Sequence, residues 1–303
     1  MFKMKQGLIL LNAYGSVTAM EYVANRLKNE FENLGVNIDI LANNFFAAKI
    51  QEDGSIGLNL PKEYDFCVYL NKDKYISQML ESQGLKLFNS HNSIQICDDK
   101  VLTFITLSKH NIPMPTTLPG LLCFSPLSKI EEKTYLHIER SLGYPLIVKS
   151  SYGSFGSGVY KIDNREQLVE IMEKLKTRPH LFQRFVESSS GKDIRVTVIG
   201  GKVVSAIVRK SETDFRSNLE LGGTASKITP DRKLICLCEK VAKLLKLDYC
   251  GIDVLFGQNG NYLICEVNSN AIFKGSESAS GVNIAGLYAK HIFTKVYKEK
   301  IKN

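Results

Sequence analysis

No apolar run in this 303-residue chain is long enough to span a bilayer. The longest, such as Gly7-Leu8-Ile9-Leu10-Leu11, falls far short of the ~20 residues a helical span needs. A secretory signal would need a longer apolar region and a small-residue cleavage site, and Asn12 and Tyr14 suit the exit of a strand instead. The cytoplasm is therefore the expected location, with no membrane partner. No Cys-x-x-Cys occurs among the seven cysteines, at 67, 97, 123, 236, 238, 250 and 265. Cys236 and Cys238 sit in a helical pattern whose two-residue spacing points them apart, so buried free thiols are expected and a zinc or disulfide framework is not. The chain also lacks internal repeats, low-complexity segments, a Gly-x-Ser-x-Gly nucleophile elbow and any aromatic-basic nucleic-acid motif.

What remains is an ordinary globular composition, 44% hydrophobic and 23% charged, long enough for two or three modest domains. The formal charge of +8 makes polyanions such as nucleotides or acidic substrates reasonable partners. The lysines of residues 295–302 read as a solvated tail.

The first segment alternates strand and helix. Residues 7–12 read as a buried strand. Met20, Val23, Ala24, Leu27, Phe31 and Leu34 recur at helical spacing, and Gly35 is placed to stop that helix. Strands are expected at 36–40, 66–70 and 85–88, while 43–64 gives no assignment. A helix over 99–110 ends at Asn111 and the Pro113/Pro115 pair, and 119–126 reads as a connection. Strands at 145–149 and 158–162 flank a glycine-rich loop. A helix over 164–176 opens on an Asp163/Glu166 capping pair. Two hairpins follow. The first, 193–199 with 202–210, turns at Gly200-Gly201; the second, 253–256 with 261–268, turns at 257–260. Between them lies a helix with Pro230 in its first turn, and another begins near Asn283.

The second hairpin carries the most informative arrangement. If Phe256 faces Asn261, then Asp253 faces Ile264, and Asp253, Ile264, Glu266 and Asn268 share one face. Asp253 and Glu266 become diagonal neighbours, roughly 7–8 Å apart at the backbone. Two carboxylates and an amide oxygen suit Mg²⁺, a hard cation that prefers oxygen. The alternative is a solvent-facing polar edge, but the neighbours Ile252, Val254, Leu263, Cys265 and Val267 are apolar. In the glycine-rich loop, a strand ends in Lys149 and feeds Ser150-Ser151-Tyr152-Gly153-Ser154-Phe155-Gly156-Ser157-Gly158. Its backbone N–H groups can cradle phosphate, and a plain hairpin connection explains the spacing equally well. It leads into a strand, which excludes a Walker or Rossmann loop. In the first hairpin, regular alternation puts Asp193 and Arg195 on one face and Arg209 on the other, unless a bulge intervenes.

Gly191-Lys192-Asp193-Ile194-Arg195, Phe215-Arg216-Ser217-Asn218-Leu219, Gly222-Gly223, Gly251-Ile252-Asp253 and Glu266-Val267-Asn268, in this order, resemble the ATP-grasp glutamate ligases of the RimK type. Those enzymes add glutamate to a ribosomal protein, a lysine-biosynthesis carrier protein or coenzyme tails. The likeness runs over residues 89–292; before that, only the α/β pattern agrees. It implies an ATP-grasp fold of α/β and α+β lobes. A Rossmann-like pre-ATP-grasp domain at 1–88 would precede two α+β lobes, 89–180 and 181–303, that clamp ATP. It implies that Lys100, Lys149 and the loop glycines Gly153, Gly156 and Gly158 meet the phosphates, and that Gln183, Arg184, Phe185 and Val186 form an interlobe hinge around adenine. Asp193, Arg195, Arg209, Arg216 and Asn218 would line the nucleotide and acyl-phosphate region. Asp253, Glu266 and Asn268 would hold Mg²⁺, or Mn²⁺ in its place.

The implied reaction joins a carboxylate of a protein, peptide or small molecule to an amino acid amine, through an acyl phosphate. Three features depart from the family pattern: Arg184 stands where it has Glu, Glu220-Leu221 where it has a basic pair, and Ser269-Asn270-Ala271-Ile272-Phe273-Lys274 where it has a small residue, Ser, Pro and Gly. The resemblance therefore carries the chemistry and not the substrates. The rivals are a ligase of the D-alanine–D-alanine or glutathione-synthetase kind and a nucleotide-binding regulator without turnover. A homo-oligomer is compatible with either reading.

Overall fold

The computed structural model describes residues 4–14, 18–153, 156–219 and 222–298. Its first layer follows from apolar runs buried on both faces, the mark of parallel strands covered by helices. Strand β1 (Gln6–Leu11) leads to helix α1 (Thr18–Asn33) and β2 (Asn37–Ala42). Residues 43–64, which the sequence left unassigned, contain a small hairpin of β3 (Ala48–Ile50) and β4 (Ile56–Leu58). Strand β5 (Phe66–Leu70), helix α2 (Lys74–Ser82) and β6 (Leu87–Phe88) complete the layer. The sheet is parallel, in the order β2-β1-β5-β6. Parallel pairing brings the carboxyl ends of β1 and β5 side by side, and with them Asn12 and Asn71.

The helix expected over 99–110 is the second of a pair. Helix α3 (His91–Asp98) stops at Asp99, whose extended backbone lets its carboxylate cap α4 (Lys100–Ser108) by accepting from Val101 N and Leu102 N. Strand β7 (Thr117–Pro119) leads into the expected connection and shares only Pro119 with it. Helix α5 (Glu132–Leu142) was not legible in the sequence, although it buries Tyr135, Ile138 and Leu142 at helical spacing. Next come β8 (Leu146–Ser150), β9 (Val159–Ile162), α6 (Arg165–Leu175) and β10 (His180–Arg184), and the sheet order is β7-β10-β8-β9. The cap of α6 lies one residue later than expected. Asn164 accepts from Gln167 N, while the Gln167 side chain accepts from Asp163 N.

The third sheet is built from β11 (Lys192–Ile199), β12 (Lys202–Lys210), β13 (Thr224–Lys227), β14 (Tyr249–Phe256) and β15 (Tyr262–Asn268), in the order β13-β12-β11-β14-β15. Helix α7 (Arg232–Leu244) covers one face; Asp231 caps it, so Pro230 precedes the helix and does not sit in its first turn. Gly200 and Gly201 have φ of 57° and 75°, which the tight turn between β11 and β12 requires and which glycine adopts without strain.

Both hairpins depart from regular alternation. In the first, Val198 faces Val203 but Thr197 faces Ser205, so Val204 is an extra residue and Arg209 comes opposite Asp193. In the second, Phe256 faces Tyr262 and not Asn261, and Val254 faces Ile264 while Asp253 faces Glu266. Here Cys265 is the extra residue. Asp253 and Glu266 are therefore directly opposite, not diagonal, and Ile264 belongs to the apolar face.

Helices α8 (Lys274–Ser280) and α9 (Ile284–Phe293) are followed by a π-helical turn, Thr294–Lys298, so the solvated tail expected from Lys295 on is folded as far as Lys298: Val296 is buried and Lys295 pairs with Asp248. Ile284, Tyr288 and Ile292 share a buried core with Val23, Leu27 and Phe31 of α1, so the end of the chain packs against its beginning. None of the described helices is long and apolar enough to cross a membrane.

Candidate functional site

The bulged register gathers charge on one face of the third sheet. Asp193 and Arg195 on β11, Arg209 on β12, Asp253 on β14, and Glu266 and Asn268 on β15 all lie there. Arg195 pairs with Asp253 through Nε and again through Nη2, at 3.0 Å. Arg209 donates to Asp193 from Nε at 2.8 Å and from Nη2 at 2.5 Å, and lies 2.9 Å from Asp253. Burial by itself would raise the Asp253 carboxyl, but Arg195 and Arg209 outweigh it and hold the group below its ordinary value. Asp193 ends higher than usual: burial dominates, and the Asp253 charge adds to it despite the bond to Arg209. Arg209, buried between two carboxylates, is locked in its charged form.

Two adjoining cavities open onto this face. The smaller, about 110 Å³, lies between the second and third sheets. The 183–186 segment, which the family resemblance implies is a hinge, runs from the second sheet toward the third, and Gln183, Arg184, Phe185 and Val186 form part of the cavity wall. The buried amide of Gln183 donates to Thr117 Oγ1 at 2.9 Å, while exposed Arg184 reaches outward to Ser141 O at 3.2 Å. Lys149 Nζ is 3.5 Å from Cys265 Sγ, so the bulged cysteine faces this cavity and not the core. Burial pushes the Cys265 thiol up in pKa, with Lys149 opposing. Periodicity gave no signal for this residue.

The larger cavity, about 440 Å³, lies between the third sheet and the first layer. Arg195 and Asn268 line it from the sheet, and Asn12, Asn71 and Lys72 from the carboxyl ends of β1 and β5. Ligands of open α/β sheets collect at such strand ends, which is the one signal that could have flagged those three residues. Gly156, Arg209, Asn218, Asp253 and Glu266 border both cavities.

The remaining candidates stand close by. Lys100, at the start of α4, donates to Gly153 O at 3.2 Å and lies 3.5 Å from Glu266. Arg216 pairs with Asp214 at 2.6 Å and donates to Gly156 O at 2.9 Å, fastening the 211–219 loop to the glycine-rich loop. Lys100, Gly153 and Gly158 line neither cavity. Ser154 and Phe155 of that loop, and the departing pair Glu220-Leu221, lie outside the described residues.

The donor set fits a hard divalent cation in part. Glu266 faces the cavities with an ammonium 3.5 Å away, and Asn268 shares its strand face. Asp253 is engaged by two guanidinium groups and would have to yield one contact to join them. Among the described residues there is no cluster of three or more His, Cys, Asp or Glu side chains around a metal-sized space.

Residues 97–292 match the family model described as a RimK-like ATP-grasp domain. N-acetylaspartylglutamate synthase A of Homo sapiens is 34% identical over 227 residues, 74% of this chain and 56% of that protein. Beta-citrylglutamate synthase B of Danio rerio is 31% identical over 230 residues, 75% and 55% of the two chains. The chain thus spans about half the length of these curated relatives. An uncharacterized protein of Mycoplasma pneumoniae is 32% identical over 86% of this chain and 89% of its own. Two solved structures share the fold. The ATP-grasp ligase PsnB, complexed with a minimal precursor, has a TM-score of 0.71 at 19% identity, covering 96% of this chain and 99% of its own. D-alanine–D-alanine ligase from Bacillus anthracis has a TM-score of 0.74 at 16% identity, covering 99% and 100%.

Proposed function

The chain belongs to the RimK-like ATP-grasp family, and on that premise we propose that it is an ATP-dependent ligase joining a carboxylate to an amino acid amine, with ADP and phosphate as products. The observation that carries the reading is the meeting of two cavities at Arg209, Asp253, Glu266 and Asn218. The smaller cavity takes part of ATP, with the phosphates reaching toward the junction, and the larger takes the acid, so the γ-phosphate and the carboxylate meet where the two join. A free carboxylate does not react with an amine at neutral pH, because its oxygen leaves poorly; phosphorylation makes that oxygen a good leaving group.

The chain's own residues orient and neutralise. Lys149 lies along the smaller cavity, Lys100 sits behind the glycine-rich loop, and Arg216 holds that loop against the 211–219 segment. Phe185 and Val186 offer an apolar wall to adenine. Of Lys100, Lys149, Arg195, Arg209 and Arg216, all but Lys149 already stand within 4 Å of Asp193, Asp214, Asp253 or Glu266. A triphosphate would therefore meet cations that are largely paired, and the reading includes a divalent metal to neutralise the phosphates. Glu266 and Asn268 would hold it, with Asp253 joining, and the metal would screen charge building on the transferred phosphoryl group.

The relatives named for glutamate-containing products make glutamate the first amine to try. The experiment is ADP release with Mg²⁺, glutamate and a panel of acids, with oxygen-18 in the acid's carboxylate. The label is expected in the released phosphate; AMP and pyrophosphate as products would end the reading.

A further inference from the structure

Residues 121–127, between β7 and α5, turn apolar side chains outward. Leu121, Leu122, Phe124 and Leu127 are 74%, 47%, 95% and 91% exposed. Single exposed apolar residues are ordinary on a protein surface, but four within one short loop are not. The loop that carries them is held in place. Gly120 N donates to His180 O at 2.8 Å, and Cys123 N donates to Lys176 O at 2.7 Å. Lys176 Nζ in turn donates to Ser128 O at 2.8 Å and pairs with Glu173 at 2.6 Å. One residue at the end of α6 thus clasps both flanks of the loop. That residue is a buried lysine, whose ammonium is costly to remove from water unless it keeps such partners. Inside the loop, Leu127 N donates to Ser125 Oγ at 3.3 Å and Ser128 N to Ser125 O at 3.2 Å. The ends are drawn together and the backbone between them is bonded, so the four side chains form one patch facing water.

We propose that this patch is the contact through which two copies of the chain associate about a two-fold axis. The area suits a second copy. The four exposures amount to just over three fully exposed side chains, or roughly 600 Å² at ~200 Å² apiece. Doubled across a two-fold axis this is about 1,200 Å², the lower end of what a specific interface buries. The flanking charges suit a second copy as well. Glu131 pairs with Lys133, Glu132 with Arg165 and Glu173 with Lys176, so the rim carries both signs although the chain as a whole has a formal charge of +8. Two such rims approach without a block of like charge between them, whereas an acidic or nucleic-acid partner would call for a rim of one sign. The contact is made by side chains and not by extending the sheet. The neighbouring edge strand β7 has three residues and ends in Pro119, which has no N–H to offer. Residues 121–127 line neither cavity, so the association is independent of the chemistry above.

Sedimentation velocity of the full chain, from about 1 to 200 µM, is the test. The wild type should pass from monomer to dimer with a dissociation constant of micromolar order, and ~1 M NaCl should leave that constant unchanged or lower it, because the contact is apolar. Phe124→Glu sets a charge in the patch and its like on the partner copy. It should raise the dissociation constant at least ~30-fold, with the circular dichroism of the dilute protein unchanged. Should Phe124→Glu fail to fold, Leu127→Glu is read the same way. A wild type that stays monomeric at ~200 µM would overturn the proposal, and is the result expected if another protein or a lipid surface covers the patch. A dimer that both variants leave intact, or one that dissociates as salt rises, would overturn it too.

Discussion

The same strands of the β13-β12-β11-β14-β15 sheet make two surfaces that obey different rules. On one, Val196, Ile252, Val254 and Ile264 are fully buried against Leu234, Cys238 and Val241 of α7. On the other, Asp193, Arg209 and Asp253 are buried and Arg195 half-buried, and each is held by a named partner of opposite charge. Apolar side chains need only fill volume, so a neighbour of similar size substitutes at modest cost. Buried charges need partners in number and direction, so removing one strands another. The first face carries stability alone, whereas the second carries stability and, on the proposed reading, the chemistry as well.

Glu266→Gln tests that division most severely. On the proposed metal role of Glu266, loss of its charge should lower ligation about 10⁴-fold, equivalent to ~5 kcal/mol, while the thermal midpoint moves little. Near-normal turnover at saturating Mg²⁺ would remove Glu266 from the metal site. Arg209→Met should cost about 3–5 kcal/mol in urea unfolding, because it leaves two buried carboxylates without their shared guanidinium. Adding Asp193→Asn should recover part of that loss, and no recovery would mean that the pairing is not what holds the face together. Ile252→Ala, on the opposite face, should cost ~2–4 kcal/mol of stability with KM and kcat of the folded protein unchanged. A shift in either constant would blur the two roles.

The smallest effect lies away from both faces. Asp248 is paired with His291 and Lys295, each at 2.7 Å, and although burial pushes its carboxyl up, those two partners bring it below the ordinary value. A depressed carboxyl stabilises the fold above its unfolded value, about 3.9, and that contribution fades as pH falls below it toward the folded value. Asp248→Asn should therefore be less stable than the wild type by about 1 kcal/mol at pH 7, with the gap closing below pH 4. A gap that stays constant from pH 7 to pH 3 would mean that the carboxylate charge is not its source.

The sequence was informative wherever local pattern and long-range packing agree. Phe66–Leu70 has the bounds its apolar run predicts, the Gly200-Gly201 hairpin sits where the dipeptide places it, and Asp253, Glu266 and Asn268 share a face as expected. Helix α8 escaped because Lys274–Ser280 is mostly Gly, Ser and Ala, without an apolar stripe. The wall formed by Asn12 and Asn71 escaped because it depends on two parallel strands ending together, 59 residues apart in sequence. A bulge in the first hairpin was one of the ways to bring Arg209 to the charged face, but the position of either bulge was not legible, because neither Val203-Val204 nor Ile264-Cys265 contains the glycine that would betray an irregular strand.

Those two extra residues make the site a matter of counting. Val204 and Cys265 each shift the phase of everything beyond them by one, and that shift turns Arg209 toward Asp193 and sets Glu266 opposite Asp253. One codon inserted or lost between Ser205 and Val208 would leave every charged residue in place by name and rotate Arg209 into the apolar interior. A comparison that scores residue types would judge such a chain intact, although its site would be gone. For this protein, the length of two short strand segments is as much a part of the charged surface as the identity of any side chain on it.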